Sequence, residues 1–219
     1  MEAPPFSVTH ELGGWDLYWA RLELLPGAAA ATTALAALCR EIALRARAEH
    51  DGEGLASDPT VAAVRSLFRA AGCDPTRYRP SSEALLRRLL KGEELPAIHP
   101  FVDLNNCLSV ALAVPSCAAA DGSFGSPVIL RAGRPGEAYD SLRGPFNLEG
   151  KPLLADPEGP FGTPITDSQR VKVTEETRAA WLVAYLPSGM VTPEQAEREL
   201  QSLLAQAPAA RMEASGVST

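Results

Sequence analysis

Little in this 219-residue chain invites a metal ion or a disulfide. Cys39, Cys73, Cys107 and Cys117 form no C-x-x-C pair, and His10, His50 and His99 stand far apart, so no zinc-ligand spacing exists. Buried free thiols are the ordinary use of such cysteines in a reducing compartment. Long apolar runs are missing too. The alanine-rich stretch near residue 30 is broken by Thr32, Thr33, Cys39, Arg40 and Glu41, which excludes a membrane-spanning helix. MEAPPFSVTH has neither a basic n-region nor an apolar h-region, so no signal peptide is expected and a cytoplasmic protein is. Positive charge is in deficit, with a net charge of −7, which argues against gripping nucleic acid through the whole surface. No Ser-His-Asp order and no phosphate-cradling glycine loop occurs. No cofactor and no metal are expected.

Hydrophobic residues at 46% with 21% charged place the chain among soluble globular proteins. WDLYWARLELL, closed by Pro26-Gly27, reads as a buried strand, and a helix is expected from Ala28 to about Ala48. HDGEGLAS over 50–57 is a loop by composition. Asp58 or Thr60 caps a helix with Val61, Val64, Leu67 and Phe68 on its core face, ended by Gly72. RPSSEALLRRLLKG predicts a third helix, capped by Ser81 or Ser82 and stopped by Gly92. Phe101 to Val110 is expected as a buried strand, residues 116–127 as a loop, and Val128–Arg131 and Lys151–Asp156 as strands. The Pro/Gly-rich stretch 157–164 suggests a lid. WLVAYL is a strongly apolar strand, and Thr192-Pro193-Glu194-Gln195 has the marks of a capping box. With no repeat and no linker, the expectation is an α+β fold: one domain over residues 1–205, a mixed sheet flanked by helices, with 206–219 a frayed tail.

Two segments carry possible function. Between residues 65 and 91 the charge reverses: Arg65, Arg69, Arg77, Arg79, Arg87, Arg88 and Lys91 face only Asp74 and Glu83. The sharp reading is a phosphate-binding face for RNA; the bland one is a solvated helix surface. The second segment is FVDLNNCLSV. Asp103, Asn105 and Asn106 are poor strand formers inside an apolar run, so they either bind neighbouring backbone or face a pocket.

RPSSEALLRRLLKG, LPAIHPFVDLNN and a segment ending in Pro115, followed by VILRAG-RPGEAY, KPLLAD and VKVTEET-RAAWLVAYLP, resemble the B3/B4 domain of the phenylalanyl-tRNA synthetase beta subunit. The likeness covers about 58–187 and is greater still to freestanding proteins built from that domain. It implies binding of tRNA and hydrolysis of a wrongly attached amino acid, a second sieve where one binding step cannot separate similar side chains. Asp103 and Asn106 match the family's VD-x-x-N signature, Pro115 its loop-opening proline and Glu137 its G-E pair. Two positions depart from the pattern. Cys117 stands where the synthetase has a pocket histidine, and Val183 where it has a glutamate. Residues 165–168 replace its glycine-rich wall, so tyrosine specificity is not implied. Cys117, Glu137 and Asp167 are the candidates for chemistry, and Asp103, Asn105, Asn106 and Pro115 for substrate contact. Three readings follow: an editing hydrolase acting in trans, a tRNA-binding module without chemistry, and a pocket for an amino-acid-like small molecule. A complete synthetase is not expected, since no ATP-binding segment is present.

Overall fold

Alternation in two long strands sets the architecture. The computed structural model describes residues 7–27, 31–50, 54–55 and 57–219. The expected helix start at Ala28 and much of the 50–57 loop lie outside them. In β2 (Trp15–Leu24), Trp15, Leu17 and Trp19 join one core cluster while Tyr18, Ala20 and Leu22 join another. In β9 (Ala179–Pro187), Trp181, Val183 and Tyr185 oppose Ala180, Leu182, Ala184 and Leu186 in the same way. Strands apolar on both faces must be covered on both, which is why each reads as a nearly continuous apolar run. They pair antiparallel with Trp19 opposite Val183. Among the described residues this sheet has the order β10-β2-β9-β3, where β3 is Ser116–Ala120 and β10 is Ala210–Ser218.

One face of that sheet carries the helices α1 (Thr32–Glu49), α3 (Ser81–Leu90), α4 (Pro100–Leu112) and α5 (Pro193–Gln206). The other face packs on α2 (Pro59–Ala70) and on a second sheet of order β1-β4-β7-β8. Its strands are β1 (Val8–His10), β4 (Val128–Ala132), β7 (Pro152–Asp156) and β8 (Gly159–Gly162), and β1 joins β4 in parallel. A small hairpin, β5 (Ala138–Ser141) with β6 (Gly144–Asn147), closes that side. The fold is α+β, with two layers of core separated by the β10-β2-β9-β3 sheet.

Local chemistry explains most of these elements. Asp58 caps α2 by accepting from the Val61 backbone at 2.8 Å, and Thr192 with Gln195 completes the capping box of α5. Five expectations are corrected. The run 101–110 is the helix α4, not a strand. His99 caps it by accepting from the Phe101 N–H, Pro100 fills its first turn and Asp103 complements its dipole. Buried on most sides, α4 shows no clean apolar stripe, so period alone could not separate it from a buried strand. The 206–219 segment is not frayed: β10 pairs with β2 from Ala210 to Ser218 around a bulge at Glu213. Residues 116–120 form the edge strand β3 rather than a loop. The expected lid at 157–164 contains β8, paired to β7. Pro80, not a serine side chain, precedes α3, and Ser82 is buried inside its first turn.

Candidate functional site

Chemistry gathers between the two sheets. Cys117 on β3 lies opposite Val183 on β9, and Tyr185 follows two residues along the same face. Gly162 ends β8 against them, so close that an added Cβ would lie 3.3 Å from Asp167 Oδ1, 3.6 Å from Tyr185 Oη and 3.7 Å from Cys117 Sγ. Only a residue without a side chain leaves that space open. Asp167 arrives there by a turn built on Thr163, whose Oγ1 accepts from the Ile165 and Thr166 backbones and donates to the Thr166 carbonyl at 2.6 Å. Tyr139 donates to the same carbonyl at 2.6 Å.

The residue Asp167 keeps part of its surface in water while its Oδ1 is sealed. Burial pushes its carboxyl up to about 8, with the nearby Thr163 backbone pulling the other way. Burial, then the neighbouring Asp167 charge, likewise pushes the Cys117 thiol well up. The Tyr185 hydroxyl is raised by burial and by Cys117 and Asp167. Neither Asp167 Oδ1 nor Tyr185 Oη makes a hydrogen bond of normal geometry among the described residues, and the hydroxyl sits beside the Cys117 thiol. Two orphaned oxygens aimed at one glycine are rare in a folded core, where buried polar atoms are almost always satisfied.

The other sequence candidates are elsewhere. Asp103 and Asn105 belong to α4, whose apolar residues pack on the opposite face of the central sheet from Cys117. Cys117 itself is only 1% exposed, sealed rather than at a cleft. Asp103 Oδ1 accepts from the Ile98 N–H at 2.9 Å, and burial raises its pKa against that bond. It lines a cavity of about 470 Å³ between α1 and residues 94–100, with Leu35, Cys39, Leu95 and Ile98. Asn105 exchanges hydrogen bonds with Ser116, at 3.4 and 3.2 Å, and so ties α4 to the start of β3. Asn106 is half-buried on α4, and the buried Pro115 offers its carbonyl to the Tyr185 N–H. Glu137 is no free base. Its carboxylate takes both arms of Arg131 at 2.6 and 2.8 Å and the Arg134 N–H at 2.8 Å, and that pairing holds its pKa below the usual range.

The basic segment is differently built from a row of free arginines. Glu83, 1% exposed, receives Arg65 at 2.8 Å, Arg87 at 2.8 Å and Arg79 at 3.6 Å. Arg88 is paired with Glu93 and the Glu94 carbonyl. Arg77 lies over Tyr78, and Arg69 and Lys91 are exposed. The spacing E-x-x-x-R over 83–87 carried part of that arrangement, since residues four apart share a helix face, while Arg79 lies just before α3 and Arg65 comes from α2. Tyr185, Tyr139 and Gly162 had no such signal: Tyr185 reads as one more core aromatic in WLVAYL.

A family model described as the B3/4 domain matches residues 63–206. The chain belongs to the B3/4 domain family. Among curated proteins nothing matches it. One solved structure it resembles is an N-terminal fragment of the phenylalanyl-tRNA synthetase beta subunit from Pyrococcus horikoshii, at 14% identity and a TM-score of 0.45. That likeness covers 99% of this chain and 51% of the other, so the chain spans about half the length of the fragment. The B3/4 match begins inside α2 and ends with α5, leaving β2 and β10 outside it. Within the B3/4 segment, Cys117 and Val183 are direct partners in the sheet. No group of three or more His, Cys, Asp or Glu among the described residues is arranged to hold a metal ion, and no described helix is long and apolar enough to cross a membrane.

Proposed function

We propose that this B3/4 domain takes the acylated end of a tRNA and hydrolyses its aminoacyl ester in trans, at the site between the two sheets. One observation carries the reading: the orphaned Asp167 Oδ1 and Tyr185 Oη converge on Gly162 beside the Cys117–Val183 pair, where the resemblance puts an editing pocket. An aminoacyl ester is already activated, so positioning and modest acid–base help are enough. A carboxyl with a pKa of about 8 is divided between its two forms near neutrality. As carboxylate, Asp167 removes a proton from the attacking water; Tyr185 donates to the oxyanion that forms on the ester carbonyl. The proton then passes from Asp167 to the departing ribose oxygen. Cys117 is assigned a neutral, space-defining role, because burial keeps it a thiol and thiolate is the nucleophilic form. Entry requires the Thr163–Ser168 turn, which carries the partly exposed Asp167, to swing outward.

The test is a panel of misacylated tRNAs incubated with the purified chain and with Asp167→Asn. Ester loss above the buffer rate for at least one tRNA, reduced roughly 100-fold in the variant, is the expected result. Salt-sensitive tRNA binding with no ester loss would replace the proposal by a second reading, a binding module without chemistry. The tight closure over Cys117 and Val183 favours that second reading.

A further inference from the structure

The helical layer holds a pair of thiols that the site between the sheets does not use. Cys39 on α1 and Cys107 on α4 face each other with their sulfur atoms 3.4 Å apart and no disulfide between them. The two residues are 68 apart in sequence, so only the packing of α1 on α4 brings them together. Cys107 is fully buried, whereas Cys39 is half-buried and lines the cavity of about 470 Å³ between α1 and residues 94–100. Leu44 and Ile98, which also line it, are 63% and 64% exposed, so the cavity opens to solvent beside Cys39. One sulfur is therefore within reach of a small molecule and the other is held behind it. That asymmetry distinguishes an attacking thiol from a resolving one.

We propose that Cys39 and Cys107 form an oxidisable dithiol, a modification site for hydroperoxides, with Cys39 attacked first and Cys107 resolving it. Cys39 thiolate attacks the peroxide O–O bond, giving Cys39 sulfenic acid and releasing water or an alcohol. Cys107 sulfur then attacks the Cys39 sulfur, the S–S bond forms and the hydroxyl leaves as a second water. Two electrons pass from the thiols to one peroxide. Disulfide formation closes the sulfurs from 3.4 Å to roughly 2.05 Å. The order agrees with the electrostatics. Hydrogen bonding from Cys107 lowers the Cys39 pKa, with Arg40 in support and burial and Asp103 opposed. The same contact together with burial holds Cys107 as a neutral thiol until it is needed. The product would fasten α1 to α4 on the cavity wall. None of this depends on tRNA or on Asp167.

The experiment uses the full reduced chain. It is exposed to hydrogen peroxide in slight excess, denatured, alkylated with N-ethylmaleimide and examined by intact mass and peptide mapping. Two of the four thiols are expected to disappear, the Cys39 and Cys107 peptides to be joined, and both thiols to return with dithiothreitol. In Cys107→Ser the expected product is Cys39 sulfenic acid, trapped by dimedone. In Cys39→Ser the Cys107 thiol is expected to survive, losing reactivity at least 10-fold. Retention of all four thiols in folded wild-type protein under conditions that oxidise free glutathione would overturn the proposal. So would linkage through Cys73 or Cys117. The wild-type measurement decides the matter even where a variant does not fold.

Discussion

At the scale of single residues, Asp167 and Glu83 show how burial turns one carboxylate into a liability and another into an anchor. Asp167 holds its proton to about 8, far above its unfolded value of 3.8, so the folded state binds protons more tightly. Its contribution is therefore fully present below about pH 4 and is lost as the pH rises through 8, a drop of a few kcal/mol across that window. Asp167→Asn keeps the shape and removes the ionisation. Its melting temperature should fall less than that of the wild type between pH 5 and pH 8, and parallel curves would mean the carboxyl ionises freely. Glu83 has the opposite role, because three guanidiniums depend on it. Glu83→Gln leaves them facing one another and should cost about 2–3 kcal/mol, somewhat under the roughly 3–5 kcal/mol of a fully buried broken pair because Arg79 and Arg87 keep nearly half their surface in water. Thermal unfolding should record it as a loss of roughly 5–10 °C. In the sequence Glu83 reads as one of two acids within a basic segment, and Asp167 as a candidate for chemistry through the family resemblance. Side-chain identity was legible there, but burial was not, because it is decided by strands far away in the chain.

Among the elements, the legible ones are those whose own residues fix them. β2 and β9 declare themselves by apolar runs, α2 and α5 by caps that close within four residues. Those that misread are fixed by partners. β10 is small and polar, ARMEASGVS, and nothing in it competes with a disordered tail until β2 offers a ladder. Once there it is held by Arg211 on Glu23, Ser215 on Glu197 and Ser218 on His10. Hydrogen exchange tests this directly. The β10 amides that point to β2 should exchange at rates like those in the middle of α5, whereas rapid exchange throughout 210–218 would return the segment to a frayed end. α4 misreads for the complementary reason. It is so thoroughly covered that its apolar positions lose the stripe by which a helix is recognised, and Asp103, Asn105 and Asn106 remained as the sign that a strand was wrong. The candidate site was legible only in part: the resemblance named Cys117, Val183 and Asp167, whereas Gly162 on β8 and Tyr185 on β9 reach it through pairing that their own segments do not announce.

For the whole molecule the question is how a chain of net charge −7 meets a polyanion. Long-range attraction is against it, so any tRNA affinity has to come from a local excess of positive charge, and such affinity is steeply salt-dependent. The structure divides that excess into two kinds. Arg65, Arg79 and Arg87 are committed to Glu83, and removing one disturbs the fold as well as the surface. Arg69 and Lys91 are exposed on and just after the two helices of the same region, with no fold to support. The paired substitution Arg69→Ser with Lys91→Ser should leave the melting temperature within about 1–2 °C of wild type, as exposed changes usually do. If both meet phosphates, the same variant should flatten the slope of log affinity against log salt by roughly one to two units. Arg87→Ser should do the reverse, lowering the melting temperature before it changes the slope. Filter binding of tRNA across a salt series, with calorimetry on the same samples, separates the two. An unaltered slope in the folded Arg69/Lys91 variant would take this face out of RNA binding. The sheet site would then need another route to its substrate.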